Sequence, residues 1–350
     1  MNQKHLLSLK DYSRADIEEI FELARQMKAR PREYASTLAG KSLAMIFMKA
    51  STRTRVSFEV GMFQLGGYAL FLGANDIQLH RGEPISDTAK VLSRYVDGIM
   101  ARVFAHQDIL DLARHATVPV INGLSDLLHP CQALTDYFTL WERRGDLTGL
   151  KLAYVGDGNN MCHELIFGGG KLGMDVSVAT PKDYAPNPLV VKSAVREAQK
   201  AGTPPPVLTH DPMKAVAGAD VVYTDVWASM GQEAEAQKRQ KAFQGYRVTE
   251  AMMAAAGPDA IFMHCLPAHR GEEVAAEVID GPQSVVFDEA ENRLHVQKAV
   301  MALLMGWRTA AISTQHSAIS NAAAESRAQD SGPAWTVVPA GRSPLLNADR

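Results

Sequence analysis

Five consecutive residues, Ser51-Thr52-Arg53-Thr54-Arg55, bring three hydroxyls and two guanidinium groups together directly after the apolar run 43–48. A strand that runs into a helix start exposes unpaired backbone N–H groups and the positive end of the helix dipole. Such a start binds anions, phosphate above all. Ser51 and Thr52 would add hydroxyl donors, and Arg53 a planar fork that matches phosphate oxygens. The plain alternative is a capped helix with solvated arginines. It accounts for Ser51 as the cap and for Arg55, which has Glu59 four residues on. It accounts less well for Arg53, because residues two apart on a helix face different ways.

Other stretches carry chemistry of their own. His129-Pro130-Cys131-Gln132 reads as a helix entry, since proline suits the first helical position. His129 and Gln132 would then offer imidazole and amide donors to a carbonyl oxygen; a chance histidine at a helix start is an equal reading. Arg102 interrupts an apolar run at the end of a buried strand, where it needs an anionic or carbonyl partner. That partner is either a ligand or a structural carboxylate. Val155-Gly156-Asp157-Gly158-Asn159-Asn160 follows a strand and invites a dinucleotide reading. The third glycine is missing, however, and Ala179-Thr180-Pro181 ends the second strand without an acidic residue to hold a ribose. A tight turn presenting Asn160 to a polar substrate fits better.

Asp225 with Ser229-Met230-Gly231 could hold a zwitterion such as an amino acid, or could be a capped loop. His264-Cys265-Leu266-Pro267 ends another strand. Zinc is disfavoured there, because there is no C-x-x-C pair and neighbours on a strand face opposite ways. Cys265 is then a polar contact, an inert core thiol or, least of all without a base, a nucleophile. In Glu289-Ala290-Glu291-Asn292-Arg293, Arg293 either pairs with Glu289 at the surface or reaches back into a cleft.

The elements that must hold these groups are legible from periodicity. Ser13 with Asp16 three residues on is a capping-box variant, and Ile17, Ile20, Phe21, Leu23 and Ala24 then recur at helical spacing. Beyond residue 41, strands are expected at 43–48, 68–72, 97–103 and 118–121, and helices at about 53–65, 87–95, 107–115 and 130–143. The polar stretch 143–149 marks a domain boundary. Strands at 152–155, 176–179, 221–223 and 261–263 follow, with helices between them, and an amphipathic segment at about 290–306 closes the pattern. Such alternation is the signature of parallel sheets covered by helices. Residues 312–350, rich in Ala, Ser, Pro and Gly and without periodicity, are expected to be a disordered tail.

A chain of 350 residues, 46% hydrophobic, can bury a sizeable core in one large or two moderate domains. Its net charge of -3 gives no global reason to bind nucleic acid or an anionic membrane, so any basic chemistry is local. Three scattered cysteines make no disulfide framework and suit a reducing, cytoplasmic setting. The N-terminus lacks an apolar signal region and no run is long enough to span a bilayer.

Together these stretches resemble the transcarbamoylase family, and within it the biosynthetic branch that uses ornithine. The carrying motifs are residues 51–55, residues 129–132, Asp225 with residues 229–231, residues 264–267 and the run Asp76-Ile77-Gln78-Leu79-His80-Arg81-Gly82-Glu83-Pro84. Each is modest, but their order and spacing are jointly specific over about residues 5–306. The resemblance implies two doubly wound parallel-sheet α/β domains joined by helices, with the active site in the cleft between them. Residues 1–145 would bind carbamoyl phosphate, 146–288 ornithine, and 289–311 would form a helix returning to the first domain. It implies transfer of the carbamoyl group to the δ-amine of L-ornithine, giving citrulline and phosphate in arginine biosynthesis, by a homotrimer or a multiple of trimers.

By the same resemblance, Ser51, Thr52, Arg53 and Thr54 take the phosphate, while Arg102, His129 and Gln132 hold the carbamoyl oxygen. Pro130, Cys131, Cys265, Leu266 and Arg293 complete the carbamoyl phosphate site, with Gln78 supplied by a neighbouring subunit. Arg53, Arg102, His129 and Cys265 form its catalytic set, and Asn160, Asp225, Ser229 and Met230 its ornithine site. No metal or redox cofactor is implied. The rival readings are a transcarbamoylase for putrescine, an N-acylated ornithine or aspartate, a nicotinamide dehydrogenase, and a non-catalytic family member. Two features depart from the family pattern: Glu164, where serine is commoner, and Gly168-Gly169-Gly170. Three glycines weaken a helix by about 1 kcal/mol each, and a carboxylate at 164 could disturb the cleft.

Overall fold

The computed structural model describes residues 3–228 and 235–306. Two parallel sheets organise them. The first contains β1 (Ser42–Phe47), β2 (Tyr68–Gly73), β3 (Gly98–Arg102) and β4 (Val120–Leu124), in the order β2-β1-β3-β4. The second contains β5 (Lys151–Val155), β6 (Asp175–Ala179), β7 (Val207–Thr209), β8 (Val221–Tyr223) and β9 (Ile261–Met263), in the order β7-β6-β5-β8-β9. Every described pairing within these sheets is parallel.

Helices connect the strands. Before and along the first sheet lie α1 (Arg14–Ala29), α2 (Thr52–Gln64), α3 (Ile85–Leu92), α4 (His106–His115) and α5 (Pro130–Arg144). The second sheet carries α6 (Asn160–Leu172), α7 (Pro188–Ala201), α8 (Pro212–Val216), α9 (Ala236–Ala242), α10 (Glu250–Ala256) and α11 (Ala276–Ile279). The last helix, α12 (Val286–Leu304), packs on α1, α2 and α5, beside the first sheet. None of the described helices is long and apolar enough to cross a membrane.

The local signals explain most of these elements. The Ser13 and Asp16 side chains both make their capping bonds at the start of α1. Both sheets are buried on two faces. Ala44, Ile46, Ile99, Ala101 and Val120 pack with Ala89 of α3 and with Ile109 and Leu112 of α4. Leu43, Met45 and Met100, on the alternate face, are fully buried as well. In the second sheet, Ala153, Val155, Val222 and Phe262 pack with residues of α8, α10 and α11. Continuous apolar strands are the expected result for parallel sheets covered by helices.

Three expectations need correction or extension. β7 was not expected; Val207 and Leu208 are exposed, so this edge strand lacks a buried apolar run. α12 starts at Val286, before the expected 290, because Asp288 and Glu289 belong to its first turn. Glu164 and the three glycines do not open onto a cleft. Glu164 is fully buried, and its Oε2 accepts from the Leu9 N–H at 3.0 Å, tying the N-terminal segment to α6. A Cβ at Gly168 would lie 2.2 Å from Tyr137 Cε2, and one at Gly169 2.3 Å from Val176 Cγ2. These glycines let α6 approach α5 and β6 more closely than any larger residue permits. The tail 312–350 lies outside the described residues.

Candidate active site

In open α/β sheets, ligands bind beyond the carboxyl ends of the strands, where the chain order reverses direction. The first sheet reverses between β1 and β3, the second between β5 and β8. The chemically notable stretches follow these four strands. Residues 49–55 follow β1 and Arg102 ends β3; Asn159 and Asn160 follow β5, and Asp225 follows β8.

α2 begins as the sequence suggests. Ser51 is the N-cap, and its Oγ accepts from the Thr54 N–H at 3.2 Å. Arg55 turns away from the helix start, bonded to Glu59 at 3.1 Å and stacked on Phe71. No described residue pairs with the Arg53 guanidinium. Thr54 is buried, and its Oγ1 accepts from Arg293 Nη2 at 3.4 Å. Arg293 is therefore not a surface charge: it is 4% exposed and reaches across from α12. Its Nη1 donates to Gln132 Oε1, and the Gln297 amide oxygen accepts from its Nη2 at 3.1 Å. Glu289, its expected surface partner, is buried too and bonds elsewhere.

Arg102 and His129 stand beside this chain of bonds, both almost fully buried. Burial, with Arg293 and Arg53 nearby, lowers the Arg102 guanidinium to about 10, still charged at neutral pH. Burial, with Arg293 and Arg102 nearby, holds the His129 imidazole well below its usual range, so it is neutral. Three buried nitrogens here have no partner among the described residues: Arg102 Nε, His129 Nδ1 and Arg293 Nε. Such atoms are costly to bury unsatisfied. They belong to three residues that the resemblance assigned to one substrate.

Gln132 is held from two sides. Its Nε2 donates to Asp136 Oδ1 at 2.7 Å and to Glu289 Oε1 at 3.0 Å. Glu289 Oε2 accepts from the His264 N–H at 3.1 Å, and its Oε1 lies 3.5 Å from the Tyr223 hydroxyl. Neither Asp136 nor Tyr223 stands out in the sequence as a site residue, and Glu289 stands out only as a surface partner for Arg293. Asp136 follows Gln132 by four residues, one helical turn, which is the signal that was available.

The loop after β9 faces Asp225. Cys265 Sγ donates to Asp225 Oδ1 at 3.1 Å, and Asn159 Nδ2 donates to Asp225 Oδ2 at 2.7 Å. Burial, aided by the Asp225 carboxylate, pushes the Cys265 thiol well up, so it remains a thiol and a donor rather than a thiolate. His264 Nδ1 accepts from the Leu266 N–H at 2.8 Å, which leaves Nε2 to donate to Glu273 Oε1 at 3.2 Å. This fixes the imidazole beneath the loop, where Leu266 adopts the left-handed φ of 56°. Bulky residues occupy that region only where surroundings hold them there.

The alternation argument against zinc does not apply, because β9 ends at Met263 and His264 and Cys265 lie past it. The ligand atoms of Asp225, His264 and Cys265 fall within 4.8 Å of one another, as do those of His269, Glu272 and Glu273. In the first group both His264 nitrogens and the thiol are already engaged in hydrogen bonds.

The remaining expected residues are placed less directly. Asn160 Nδ2 donates to the Ser125 carbonyl at 2.7 Å, in the loop after β4. The missed neighbour Asn159 is the one that touches Asp225 and also caps α6. Pro130 opens α5, and the buried Cys131 thiol donates to the Asn122 carbonyl at 3.4 Å. Gln78 is exposed on the short turn Gln78–Arg81, with no described bond to the cluster. Ser229 and Met230 lie outside the described residues.

Two parallel α/β sheets, with unsatisfied cationic donors at one reversal point and a carboxylate and thiol at the other, describe a group-transfer enzyme for an anionic substrate. The chain belongs to the aspartate/ornithine carbamoyltransferase family. The model of that family's carbamoyl-P binding domain matches residues 4–142, and that of its Asp/Orn binding domain matches 148–304. The chain is 60% identical over 308 residues to the ornithine carbamoyltransferase of Thermococcus kodakarensis, covering 87% of this chain and 96% of that one. It is 59% identical over 308 residues, with the same coverage, to the anabolic ornithine carbamoyltransferase of Pyrococcus furiosus. The solved ornithine carbamoyltransferase from Pyrococcus furiosus superposes with a TM-score of 0.83 at 59% identity, covering 87% of this chain and 98% of that one. The anabolic enzyme from Campylobacter jejuni does so with a TM-score of 0.83 at 43% identity, covering 87% and 100%.

Proposed function

We propose that this protein transfers the carbamoyl group of carbamoyl phosphate to the δ-amine of L-ornithine, giving L-citrulline and phosphate for arginine biosynthesis. The observation that carries the site assignment is the set of unpartnered buried nitrogens on Arg102, His129 and Arg293. They are donors or ring nitrogens that the described residues leave open to a ligand. Ser51, Thr52, Arg53 and Thr54 grip the phosphate at the start of α2. Arg102, His129 and Gln132 hold the carbamoyl oxygen, with Pro130, Cys131 and Leu266 contributing mainly through backbone and shape. Asp225 and Asn160, with Ser229 and Met230, hold the amino-acid end of ornithine.

The chemistry follows from this placement. A free alkylamine is protonated at neutral pH. The cluster of Arg53, Arg102 and Arg293 disfavours that proton and so favours the nucleophilic form. The δ-nitrogen attacks the carbamoyl carbon, and charge builds on the carbamoyl oxygen. Arg102 and His129 stabilise that charge; each such donor is worth roughly 10²–10³ in rate. The carbon–oxygen bond to phosphate then breaks, and the departing phosphate accepts the proton from nitrogen. Cys265, as a thiol bonded to Asp225, positions rather than attacks.

Residues 1–145 form the carbamoyl phosphate domain, 146–288 the ornithine domain, and 289–311 return to the first; the matched ranges of the two family domains support this division. The enzyme works in the cytoplasm as a homotrimer or a multiple of trimers, with Gln78 reaching a neighbour's site. An apolar stripe on α2 and β2 supports association of copies: Phe63 is 80% and Tyr68 66% exposed, with Val56 and Val60 beside them.

The test is a carbamoyl-transfer assay on purified protein, with carbamoyl phosphate offered to ornithine, putrescine, N-acetylornithine and aspartate in parallel. Citrulline from ornithine alone is expected. Product from another amine overturns the specificity, and no product from folded protein that binds carbamoyl phosphate overturns the catalytic reading.

A further inference from the structure

The Asp136–Glu289 pair lies behind the site and touches no substrate in the reading above. Its two carboxyls come from α5 and α12 and are in contact with each other in a fully buried setting. Both grip the same Gln132 amide. Glu289 alone continues to the His264 backbone N–H. A continuous chain of bonds therefore runs from Thr54 through Arg293 and Gln132 to Glu289 and the loop bearing Cys265 and Leu266. One end is the proposed phosphate grip; the other is the loop whose Cys265 thiol is bonded to Asp225 of the proposed ornithine site.

We propose that the Asp136–Glu289 pair, sharing one proton, is a positioning joint through which occupancy of the carbamoyl phosphate site sets the loop at 264–266 for ornithine. The proposal rests on the functional reading above. Two buried carboxyls in contact strongly disfavour ionising together, and an ionised carboxylate only accepts hydrogen bonds. One must carry a hydrogen. Asp136 Oδ2, buried and otherwise without a partner, has capacity to accept it. Burial raises both carboxyls, and the Asp136 charge raises Glu289 as well, so the pair keeps a proton between its two groups. Arg293 on α12, Tyr223 on β8 and Cys265 after β9 are the other titratable or charged groups facing the pair, and His264 meets it through its backbone N–H alone. Arg293 is the cation among them, and its fork is already taken by Gln132 and Thr54.

With the hydrogen in place, Gln132 Nε2 is held between two acceptors and Oε1 stays aimed at Arg293. A ligand that pulls Arg293 shifts Gln132, and Glu289 passes the shift to the His264 N–H. The substitution Asp136→Asn supplies a fixed hydrogen where the shared proton stands. Its carbonyl can still accept from Gln132, and its amide can donate to a Glu289 carboxylate. Glu289→Ala removes the tie to His264 altogether.

The experiment measures the Kd of norvaline, an ornithine analogue lacking the δ-amine, with and without carbamoyl phosphate. The ratio of the two values is the coupling. Wild type is expected to bind norvaline at least tenfold tighter with carbamoyl phosphate present. Folded Glu289→Ala should bring the ratio within twofold of one, with carbamoyl phosphate affinity changed less than threefold. Asp136→Asn should keep the wild-type ratio within threefold, and keep it at alkaline pH where wild type loses it. If Glu289→Ala does not fold, Glu289→Asp, too short to span both Gln132 and His264, carries the same expectation. A wild-type ratio of one, full coupling in folded Glu289→Ala or Glu289→Asp, or equal loss in Asp136→Asn overturns the joint. Failure of the functional reading shows separately, as absence of citrulline from wild type.

Discussion

Gly168→Ala and Gly170→Ala are the same chemical change two residues apart in α6, and they are expected to have opposite signs. Alanine gains about 1 kcal/mol over glycine in a helix interior. At position 170 the new methyl meets only Ala198 Cβ, at 3.8 Å, an ordinary contact. Gly170→Ala should therefore stabilise the protein by about 0.5–1 kcal/mol. At position 168 the methyl would sit 2.2 Å from Tyr137 Cε2 and 2.9 Å from Leu9 Cδ1. Carbon atoms prefer roughly 3.5–4.0 Å, so the ring must move by more than an ångström. Tyr137 cannot do so freely: it is fully buried, and its hydroxyl donates to the Leu165 carbonyl. Overpacking of this kind costs about 1–3 kcal/mol or more, which exceeds the helical gain. Urea unfolding of both variants beside wild type, followed by circular dichroism, measures the difference. Gly168→Ala should unfold at lower urea than wild type and Gly170→Ala at higher. If Gly168→Ala proved as stable as Gly170→Ala, the close approach of α6 to α5 would not be the reason for glycine there.

Three further outcomes are expected. Arg53→Ala should weaken phosphate or carbamoyl phosphate binding by about 1.5–3 kcal/mol, the worth of a charged hydrogen bond, with the unfolding midpoint unchanged; calorimetry checks both. Asp225→Ala should raise the ornithine KM about tenfold or more while carbamoyl phosphate affinity stays within a few-fold, and equal loss of both would refute the division of roles. The Glu164 carboxyl is pushed up to about 8 by burial, so the folded chain retains a proton that the unfolded chain gives up above its ordinary value near 4.5. Stability from this group is thus greatest at low pH and falls as pH rises towards 8. Glu164→Gln removes that slope, and should gain on wild type by on the order of a few kcal/mol between pH 5 and pH 8. Unfolding midpoints at the two pH values test it.

The strands were legible because parallel sheets bury both faces, so runs such as 43–48 and 152–155 stand out as continuous apolar blocks. β7 escaped because an exposed edge strand needs no such block. The helix start at Ser51 was legible from hydroxyl and arginine chemistry alone. What sequence reasoning could not find were partners distant in the chain: Asp136 with Glu289, and Thr54 with Arg293. Each pair joins elements that meet only in the folded protein, and none has a local spacing to announce it. The glycine run illustrates the converse. Its helical cost was visible in the sequence, whereas its cause, the rings and methyls of α5 and β6, was not.

α12 returns from the second sheet to pack on α1, α2 and α5, and it delivers Arg293 to Thr54 and Gln132. A ribosome releases the chain from its N-terminus, and early segments start to fold as they emerge. The first sheet and the start of α2 are made long before residue 293. Until then, the niche that α12 will fill remains open, with Gln132 and Thr54 lacking their guanidinium. The proposed phosphate grip is begun in the first third of the protein and finished by the last of the described helices. A nascent chain stalled short of α12 would thus hold most of its sequence and still lack the guanidinium that completes the proposed carbamoyl phosphate site.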